Sequence, residues 1–375
     1  MNSLVFNKKT TKQRGAALVT TLLMVALITV TVTSMASKQQ RTIQIAQNRQ
    51  AQLQLGNLAG AGERFAMAVL RRDRVEAERG NSDSTEDFWA ESLPPVPVDG
   101  ATIEGCVVDL QGKFNLNNLV DENGNPDPLE FQIFQRLLTA LTIDAVKADA
   151  VLDWIDTNID VTGADGAEDD FYTGQTPSYR AANGLMVSPS ELLLVRGFRV
   201  TDEGGLDDYD VLLPHIATLP QGTAININTA SSAVLSSLAP YMPAIADELK
   251  VVDDGYWQEF PECPEGGGLL DSLLNAGDDA EGDGGGDGSD PNAEGEFEDE
   301  GGLTYETIEQ FRQDSVNPEN IEEGIDEEIF IDVKSQYYMS RVTVKREEIT
   351  LTQFTILERD NNGALRTLRR SRGGL

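Results

Sequence analysis

A run of oxygen-bearing side chains near the middle of the chain has the residue types and spacing of a site for a hard cation. The candidate ligands are Asp153, Asp156, Asn158, Asp160, Glu168, Asp169 and Asp170. Oxygen donors at alternate positions of a loop can converge on one calcium ion. The run differs from an EF-hand loop, because Val161 stands where that loop needs glycine and Ala167 where it needs a bidentate glutamate. We expect a structural calcium site here, and the alternative is a set of helix-capping and solvated acids.

A second acidic stretch is a weaker candidate for calcium. Residues 266–302 are rich in Gly, Asp and Glu, and they contain too few apolar residues to offset the entropy of ordering. Its acids that could collect calcium are Asp278, Asp279, Asp283 and Asp287. Residues 284–288 resemble a single degenerate copy of a calcium-binding nonapeptide repeat. A single copy favours the simpler interpretation, a disordered acidic linker.

Residue types for nucleophilic or acid–base catalysis are scarce. His215 is the one histidine, lies in a predicted loop, and is accompanied by no Gly-x-Ser-x-Gly nucleophile elbow. A membrane-anchored hydrolase is therefore the weaker alternative, a packed or surface imidazole is the simpler role for His215, and we predict no enzymatic activity. Residues 225–231 resemble the start of a helix-hairpin-helix element, but residues 239–243 replace its glycine-rich hairpin. We interpret that segment as a packing unit in which Asn and Thr cap a helix.

The charge balance argues against nucleic acid as a partner. The 375-residue chain has 63 acidic residues against 29 Lys and Arg, a formal net charge of −34. A surface this negative repels phosphate backbones. The two cysteines, Cys106 and Cys263, could form one disulfide outside the cytoplasm, or they could be two separate buried thiols.

The first forty residues have the pattern of a membrane anchor behind a short basic leader. Four Lys and Arg residues precede Gly15, and no charged side chain follows until Lys38. As a helix, residues 16–37 would rise about 33 Å, which matches the hydrocarbon core of a bilayer. The positive-inside rule then leaves the leader in the cytoplasm and exports the bulk of the chain. An ordinary secretory signal has a shorter apolar run with its small-residue cleavage site at the far end.

The helix is expected to continue beyond the membrane. Between Lys38 and about Glu78 apolar and small residues recur every three or four positions, at Leu55, Leu58, Gly62, Phe65 and Val69. This pattern predicts one long helix, half in lipid and half packed on a globular domain. A plain single-pass anchor with a helical stalk would have the same periodicity.

The leader and several downstream segments resemble one protein family. Arg14–Leu18 resembles the prepilin processing site, at which a peptidase cuts after glycine, here Gly15, and leaves Ala16 as the first mature residue. Further segments, in the same order as in the K-type minor pseudopilins of type II secretion, are Asp109–Leu119, Val151–Asp156, Gly166–Asp170, Tyr179–Asn183, Ser190–Phe198 and Ile225–Ala230. Together with the leader they span roughly the first two thirds of the chain, and the acidic stretch after Pro264 has no counterpart in that pattern.

The resemblance implies a place in the inner membrane, single-pass, with the bulk of the chain in the periplasm. It implies I- and J-type minor pseudopilins as partners at the tip of a short pseudopilus. Other expected partners are the H-type and major pseudopilins, the prepilin peptidase and the inner-membrane assembly platform. The tip would start filament assembly and assist the export of folded proteins. A minor pilin of a related type IV system would share the leader and anchor, and is the alternative.

Thr20 departs from most pilin-like subunits in a way that this family shares. It would be the fifth mature residue, where most such subunits carry a glutamate that pairs with the terminal amine of a neighbour. A buried charge in lipid is tolerable mainly when it is paired. A subunit with Thr20 therefore fits an end of the filament better than its repeating body.

The elements that must position these residues predict an α+β fold. By resemblance it is a pilin-like fold, in which the long helix packs on an antiparallel sheet, with a large, mostly helical inserted domain. Strands are predicted at Ala101–Leu110, Ile329–Val344 and Glu348–Leu357. Helices are predicted at Phe131–Leu141, Asp144–Ile155, Ser188–Val195 and Ser231–Leu238. We interpret residues 80–99 as a loop and the arginines of 366–372 as a solvated tail.

The predicted divisions of the chain follow from these elements. They are a leader (1–15), a transmembrane helix (16–37), the rest of the long helix with the first strand (38–110), the helical insertion (111–250), a linker with the acidic stretch (251–328), and the last strands with the basic tail (329–375).

Overall fold

The computed structural model describes residues 16–76, 82–245, 263, 304–316, 324–347, 349–360 and 362–372. The chain divides into two compact units, residues 1–57 and 58–375. Helix α1 spans Ala16–Glu76 and so contributes to both units.

The described part of the first unit is helical, and only its N-terminal stretch is apolar. Its N-terminal stretch is long and apolar enough to cross a membrane, and the side chains there are exposed. The β-branched threonines within it satisfy their hydroxyls on the helix itself, as Thr29 and Thr33 do on carbonyls one turn earlier, at 2.8 Å each. This pairing lets polar side chains lie in an apolar helix without an unsatisfied donor.

In the described residues of the second unit there are nine strands and six further helices. The strands are β1 (Leu93–Val98), β2 (Ala101–Asp109), β3 (Phe114–Asn115), β4 (Ile216–Ala217), β5 (Ile225–Asn226), β6 (Ile331–Asp332), β7 (Tyr337–Arg346), β8 (Ile349–Arg359) and β9 (Leu365–Arg372). The helices are α2 (Pro128–Ala140), α3 (Lys147–Ile155), α4 (Asp169–Thr173), α5 (Gly205–Leu212), α6 (Ser232–Ser237) and α7 (Ile308–Asp314). Short 3-10 turns lie at Phe88–Ala90, Leu116–Leu119, Pro189–Leu194, Leu213–His215 and Met242–Ala244.

Five of the strands form one antiparallel sheet in the order β1-β2-β7-β8-β9. Residues 58–76 of α1 pack on one face of it, where Val69 and Leu70 join a buried cluster with Trp89, Tyr338 and Leu357. The helix comes close because residue 62 is glycine: a Cβ there would lie 2.5 Å from Cγ1 of Val342 on β7. The α+β fold predicted from the sequence is confirmed.

The opposite face of the sheet carries a second apolar cluster, in which Val108, Met339 and Phe354 meet Ala217 and Leu219. Cys106 of β2 lies in the same cluster and is bonded to Cys263 in a disulfide, with the two Cα atoms 5.6 Å apart. The bond closes a loop of 157 residues and so attaches the chain after the insertion to the sheet.

The inserted domain follows β2 and has the largest core of the molecule. Helices α2, α3 and α6 contribute Phe134, Leu137, Val151, Trp154 and Leu235 to it. Helix α2 begins three residues before the predicted start at Phe131, because the Asp127 carboxylate caps it and accepts hydrogen bonds from the Leu129 and Glu130 amides, at 2.9 and 3.2 Å. Two short parallel pairs, β3 with β4 and β5 with β6, close the domain.

A buried polar cluster joins the inserted domain to the sheet. The carboxylate of Asp109, at the end of β2, is fully buried and accepts hydrogen bonds from Asn226 Nδ2 at 3.0 Å, Thr229 Oγ1 at 2.6 Å and Ser335 Oγ at 2.5 Å. Burial raises the pKa of Asp109 to about 6 despite these bonds. One carboxylate thus ties three segments that are far apart in the sequence.

Four predictions of local structure were wrong. Residues 93–98, within the predicted loop, form β1, an edge strand that tolerates its prolines because the outer edge needs no donor. The predicted basic tail forms β9, because Arg366 and Arg370 find acids on β8 and α1. The single strand predicted over 329–344 is two, β6 and β7, and the predicted linker 251–328 contains α7.

Candidate functional site

Helix α3 presents a row of acids toward the loop that follows it. Asp149 and Asp153 are four residues apart and lie on one side of the helix, and Asp156 is its C-cap. Asp153 and Asp156 are fully buried, and Asp149 is 7% exposed. Buried carboxylates need donors or a cation, so the surroundings of each decide what this row can do.

Two of the three acids bind the loop backbone. Asp153 Oδ1 accepts the amide of Thr162 at 3.0 Å, and Asp149 Oδ2 accepts the amide of Ala164 at 3.0 Å. Gly163 lies between those amides with φ of 57°, and a Cβ there would lie 2.0 Å from Asp149 Oδ2. The loop therefore wraps the acids closely, and glycine is required for the approach.

Asp156 and Asn158 make a local turn beside that loop. Asp156 accepts the Asn158 side-chain amide at 2.7 Å, and the Asn158 oxygen accepts the amide of Asp160 at 2.6 Å. Burial, followed by the charge of Asp153, raises the pKa of Asp156 to about 6.

Glu168 is the member of the group whose carboxylate lacks a partner. It is 5% exposed, and both of its carboxylate oxygens are buried without any hydrogen bond. Burial raises its pKa to about 7, with further contributions from the charges of Asp153 and Asp156. The charges of Asp153 and Asp156 thus act on a carboxylate whose own oxygens are orphaned, and a cation would satisfy those oxygens.

The other candidate ligands have different surroundings. Asp169 accepts the amide of Ala181 at 3.1 Å and pairs with Arg180 at 3.4 Å. Asp160 and Asp170 are exposed. Across the ranges that the structure describes, no three Asp, Glu, His or Cys side chains are already arranged to hold a metal ion together.

Asp149 is a residue of this site that the sequence analysis missed. Its signal is the four-residue spacing from Asp153 within a predicted helix, which places both on one face.

His215 has a structural contact rather than a catalytic constellation among the described residues. It ends a 3-10 turn rather than lying in a loop, and its Nδ1 is 2.8 Å from the hydroxyl of Ser231. That hydroxyl also accepts the amide of Val234 and caps α6. The segment does cap a helix, but through Ser231, whereas Asn226 and Thr229 bind Asp109 instead.

At the N-terminus, the structure places Ala16 at the start of α1, and Gly15 lies outside the described residues. Thr20 donates its hydroxyl to the carbonyl of Ala17 at 2.9 Å, within its own helix. The alternative calcium ligands in the acidic stretch, Asp278, Asp279, Asp283 and Asp287, also lie outside the described residues.

Comparison with known proteins relates the chain to one group. The family model described as type II secretion system (T2SS), protein K, matches residues 112–221. The type II secretion system protein K of Pseudomonas aeruginosa is 35% identical over 245 residues, which cover 63% of this chain and 71% of that protein. The protein of the same name from Klebsiella pneumoniae is 31% identical over 251 residues, covering 64% of this chain and 73% of that protein.

A solved structure has the same fold. It is a chain in the crystal structure of the GspK-GspI-GspJ complex from the enterotoxigenic Escherichia coli type 2 secretion system, with a TM-score of 0.60. The two chains are 21% identical, and the match covers 88% of this chain and 99% of that one. At this identity the likeness establishes the fold, a long N-terminal helix and an antiparallel sheet with an inserted domain.

Proposed function

We propose, because this chain belongs to the type II secretion system protein K family, that it is the minor pseudopilin that ends a periplasmic pseudopilus. Its function would be mechanical: it would start assembly of the filament together with I- and J-type subunits and assist export of folded proteins across the outer membrane. The observation that carries this proposal is a helical domain of more than a hundred residues inserted into a pilin-like fold. A subunit stacked above it would meet that domain.

The N-terminal helix supports the same proposal. Its apolar stretch would anchor the chain in the inner membrane, with the leader in the cytoplasm and the second unit in the periplasm. Thr20 uses its hydroxyl within the helix and has no carboxylate to offer to the amine of a neighbour. Such a helix can join a filament by apolar packing without the charge pair of the repeating subunits.

We further propose that the acids of α3 and Glu168 hold a structural calcium ion. The support is the pair of orphaned, buried oxygens of Glu168, since a carboxylate in that state is costly unless it is protonated or paired with a cation. The charges of Asp153 and Asp156 contribute to the raised pKa of Glu168. The ion would supply a fixed positive charge that holds the loop, and it would take no part in a reaction.

The surroundings of His215 support a non-enzymatic function. His215 contacts a helix-capping serine, Ser231, which is 3% exposed and so shielded from a substrate. His215→Ala should therefore leave secretion intact.

The proposal is tested at the processing site. Gly15→Phe should block removal of the leader, because a bulky residue precedes the bond to be cut, whereas the wild-type chain should have the mass of a protein beginning at Ala16. Intact-mass spectrometry of membrane-purified protein distinguishes the two. A mature mass in Gly15→Phe, or a wild-type chain that retains Met1, would contradict the assignment.

A further inference from the structure

The two edges of the five-stranded sheet differ in whether another strand can pair with them. One edge is β1, which contains Pro94, Pro95 and Pro97 and therefore lacks three backbone donors. The other edge is β9, which has no proline and pairs with β8 alone among the strands that the structure describes. The outer side of β9 thus presents backbone donors and acceptors to a further strand.

Strand β9 is also basic in a chain with a large excess of acid. Its eight residues include Arg366, Arg369, Arg370 and Arg372 and no acid. Arg366 pairs with Glu358 and Arg370 pairs with Glu63, yet the two arginine side chains remain 72% and 57% exposed. A guanidinium has five donors, so each keeps hydrogen-bonding capacity for a second carboxylate.

The edge is held in place from beneath. Glu63 of α1 is 3% exposed and accepts hydrogen bonds from Arg370 at 2.6 Å, Thr367 at 2.9 Å and Gln353 at 3.0 Å. Burial alone would raise the pKa of Glu63, but the bonds from Arg370 and Thr367 hold it below its ordinary value. Glu63 is thus charged, and it fixes β9 to the helix as an ordered template for pairing.

We propose that the outer edge of β9 binds an extended, acidic segment of another pseudopilin subunit, which adds to the sheet as a sixth strand. Charge complementarity selects this occupant. Charged side chains commonly guard a sheet edge against self-association, and here a second copy would bring a like-charged strand to the same edge. An acidic strand gains both the backbone ladder and the arginine contacts. This inference rests on the proposed function, which supplies the neighbouring subunits.

The direct test is amide hydrogen exchange of the full mature chain in detergent, alone and with I- and J-type pseudopilins. In the complex, alternate amides of residues 365–372 should exchange at about one tenth of their rate in the free chain, or more slowly still. Only the amides that face outward gain a hydrogen-bond partner. If the complex forms and β9 exchanges as in the free chain, the edge proposal is overturned while the proposed function stands. If no complex forms, the proposed function fails and the edge proposal fails with it.

Two other occupants give distinct results. Protection of β9 that increases with the concentration of the chain alone would mean a second copy. Protection in the chain alone that is independent of concentration, and is lost when residues 264–303 are deleted, would mean the chain's own acidic stretch. Either result overturns the proposal.

Charge reversals supply the second measurement. Arg366→Glu and Arg372→Glu should each weaken the complex by about tenfold at low salt, and high salt should reduce the difference. Arg312→Glu is the matched control, since it makes the same change of charge on α7, outside the sheet. Equal affinities in all three variants, with unchanged melting temperatures, would overturn the proposal.

Discussion

Glu168 is the residue on which the proposed calcium site most depends, since its two buried oxygens have no hydrogen-bond partner among the residues that the structure describes. Glu168→Gln removes the charge with little change of size. Calcium at about a hundred times its Kd should raise the Tm of the wild-type chain by roughly 5 to 10 °C, and this rise should vanish in the variant. Without calcium the variant should melt no lower than the wild type, because it no longer buries an unpaired carboxylate.

Asp207→Asn is the matched control, as it removes an exposed carboxylate from α5 in the same domain. It should keep the full calcium response. The double change Asp156→Asn and Asp160→Asn should lose that response. A full response in Glu168→Gln would place the ion elsewhere in the chain.

The raised pKa of Glu168 also predicts how calcium binding depends on pH. With a folded pKa of about 7, Glu168 is largely protonated at pH 6, and calcium must displace that proton. The Kd for calcium should therefore rise by up to about tenfold for each pH unit below 7. Calorimetric titrations at pH 6 and pH 8 measure this change, and a constant Kd would exclude Glu168 as a ligand.

Without calcium, the stability of the chain should depend on pH in the opposite direction. Because the folded pKa of Glu168 lies above its ordinary value of 4.5, the associated stability is present below pH 4.5 and is lost as the pH rises through 7. Asp156, with a folded pKa of about 6, acts in the same direction. In calcium-free buffer this domain should accordingly melt lower at pH 8 than at pH 6, and calcium should reverse the difference.

At the scale of single residues, the sequence predicted which acids belong to the candidate site better than it predicted the partners of each acid. It grouped Asp153, Asp156 and Glu168, and the charges of the first two contribute to the raised pKa of Glu168. It also included Asp169, which instead pairs with Arg180 and a backbone amide. Spacing along the chain tells which acids are near in sequence, but the donors that compete for them come from other segments.

At the scale of elements, the close contact between α1 and the sheet predicts how a single substitution changes stability. Gly62→Ala adds a Cβ that would lie 2.5 Å from Val342 Cγ1, and valine has little freedom to move aside. The overpacking should cost about 1 to 3 kcal/mol of the free energy of unfolding and should exceed the gain in helix propensity. Chemical denaturation of the mature chain measures the change.

Gly60→Ala is the matched control two residues earlier in the same helix. A Cβ at Gly60 meets only the end of the Arg64 side chain, at 3.7 Å. This variant should gain up to about 1 kcal/mol from helix propensity. Equal stabilities for the two alanine variants would mean that α1 does not pack on β7 as closely as described.

Elements with strong local signals were predicted from the sequence, and those that depend on distant partners were not. Helix α2 and strand β2 were predicted because capping residues and the alternation of apolar and polar side chains are local features of the sequence. Strand β9 was missed because its arginines look like a solvated tail until Glu358 and Glu63 are placed beside them. Strand β1 was missed because its three prolines are typical of a loop, although an edge strand also tolerates them.

At the scale of the whole molecule, the order of the strands explains how one chain can carry a large insertion. β2 and β7 are neighbours in the sheet although more than two hundred residues separate them, so the inserted domain leaves and returns at one place. Asp109 lies at that place and binds residues from both sides of it. The resemblance to a known family predicted the insertion, and periodicity alone predicted only that helices would occur there.

The measurement that tests the central claim most directly is native mass spectrometry of the mature chain with I- and J-type pseudopilins in detergent. A tip subunit should appear in a complex that contains one copy of each protein, with no species that holds two copies of this chain. Such a result is expected from a wide inserted domain that leaves no room for a second copy above it. A chain that remains alone, or that forms repeating assemblies of itself, would contradict this account.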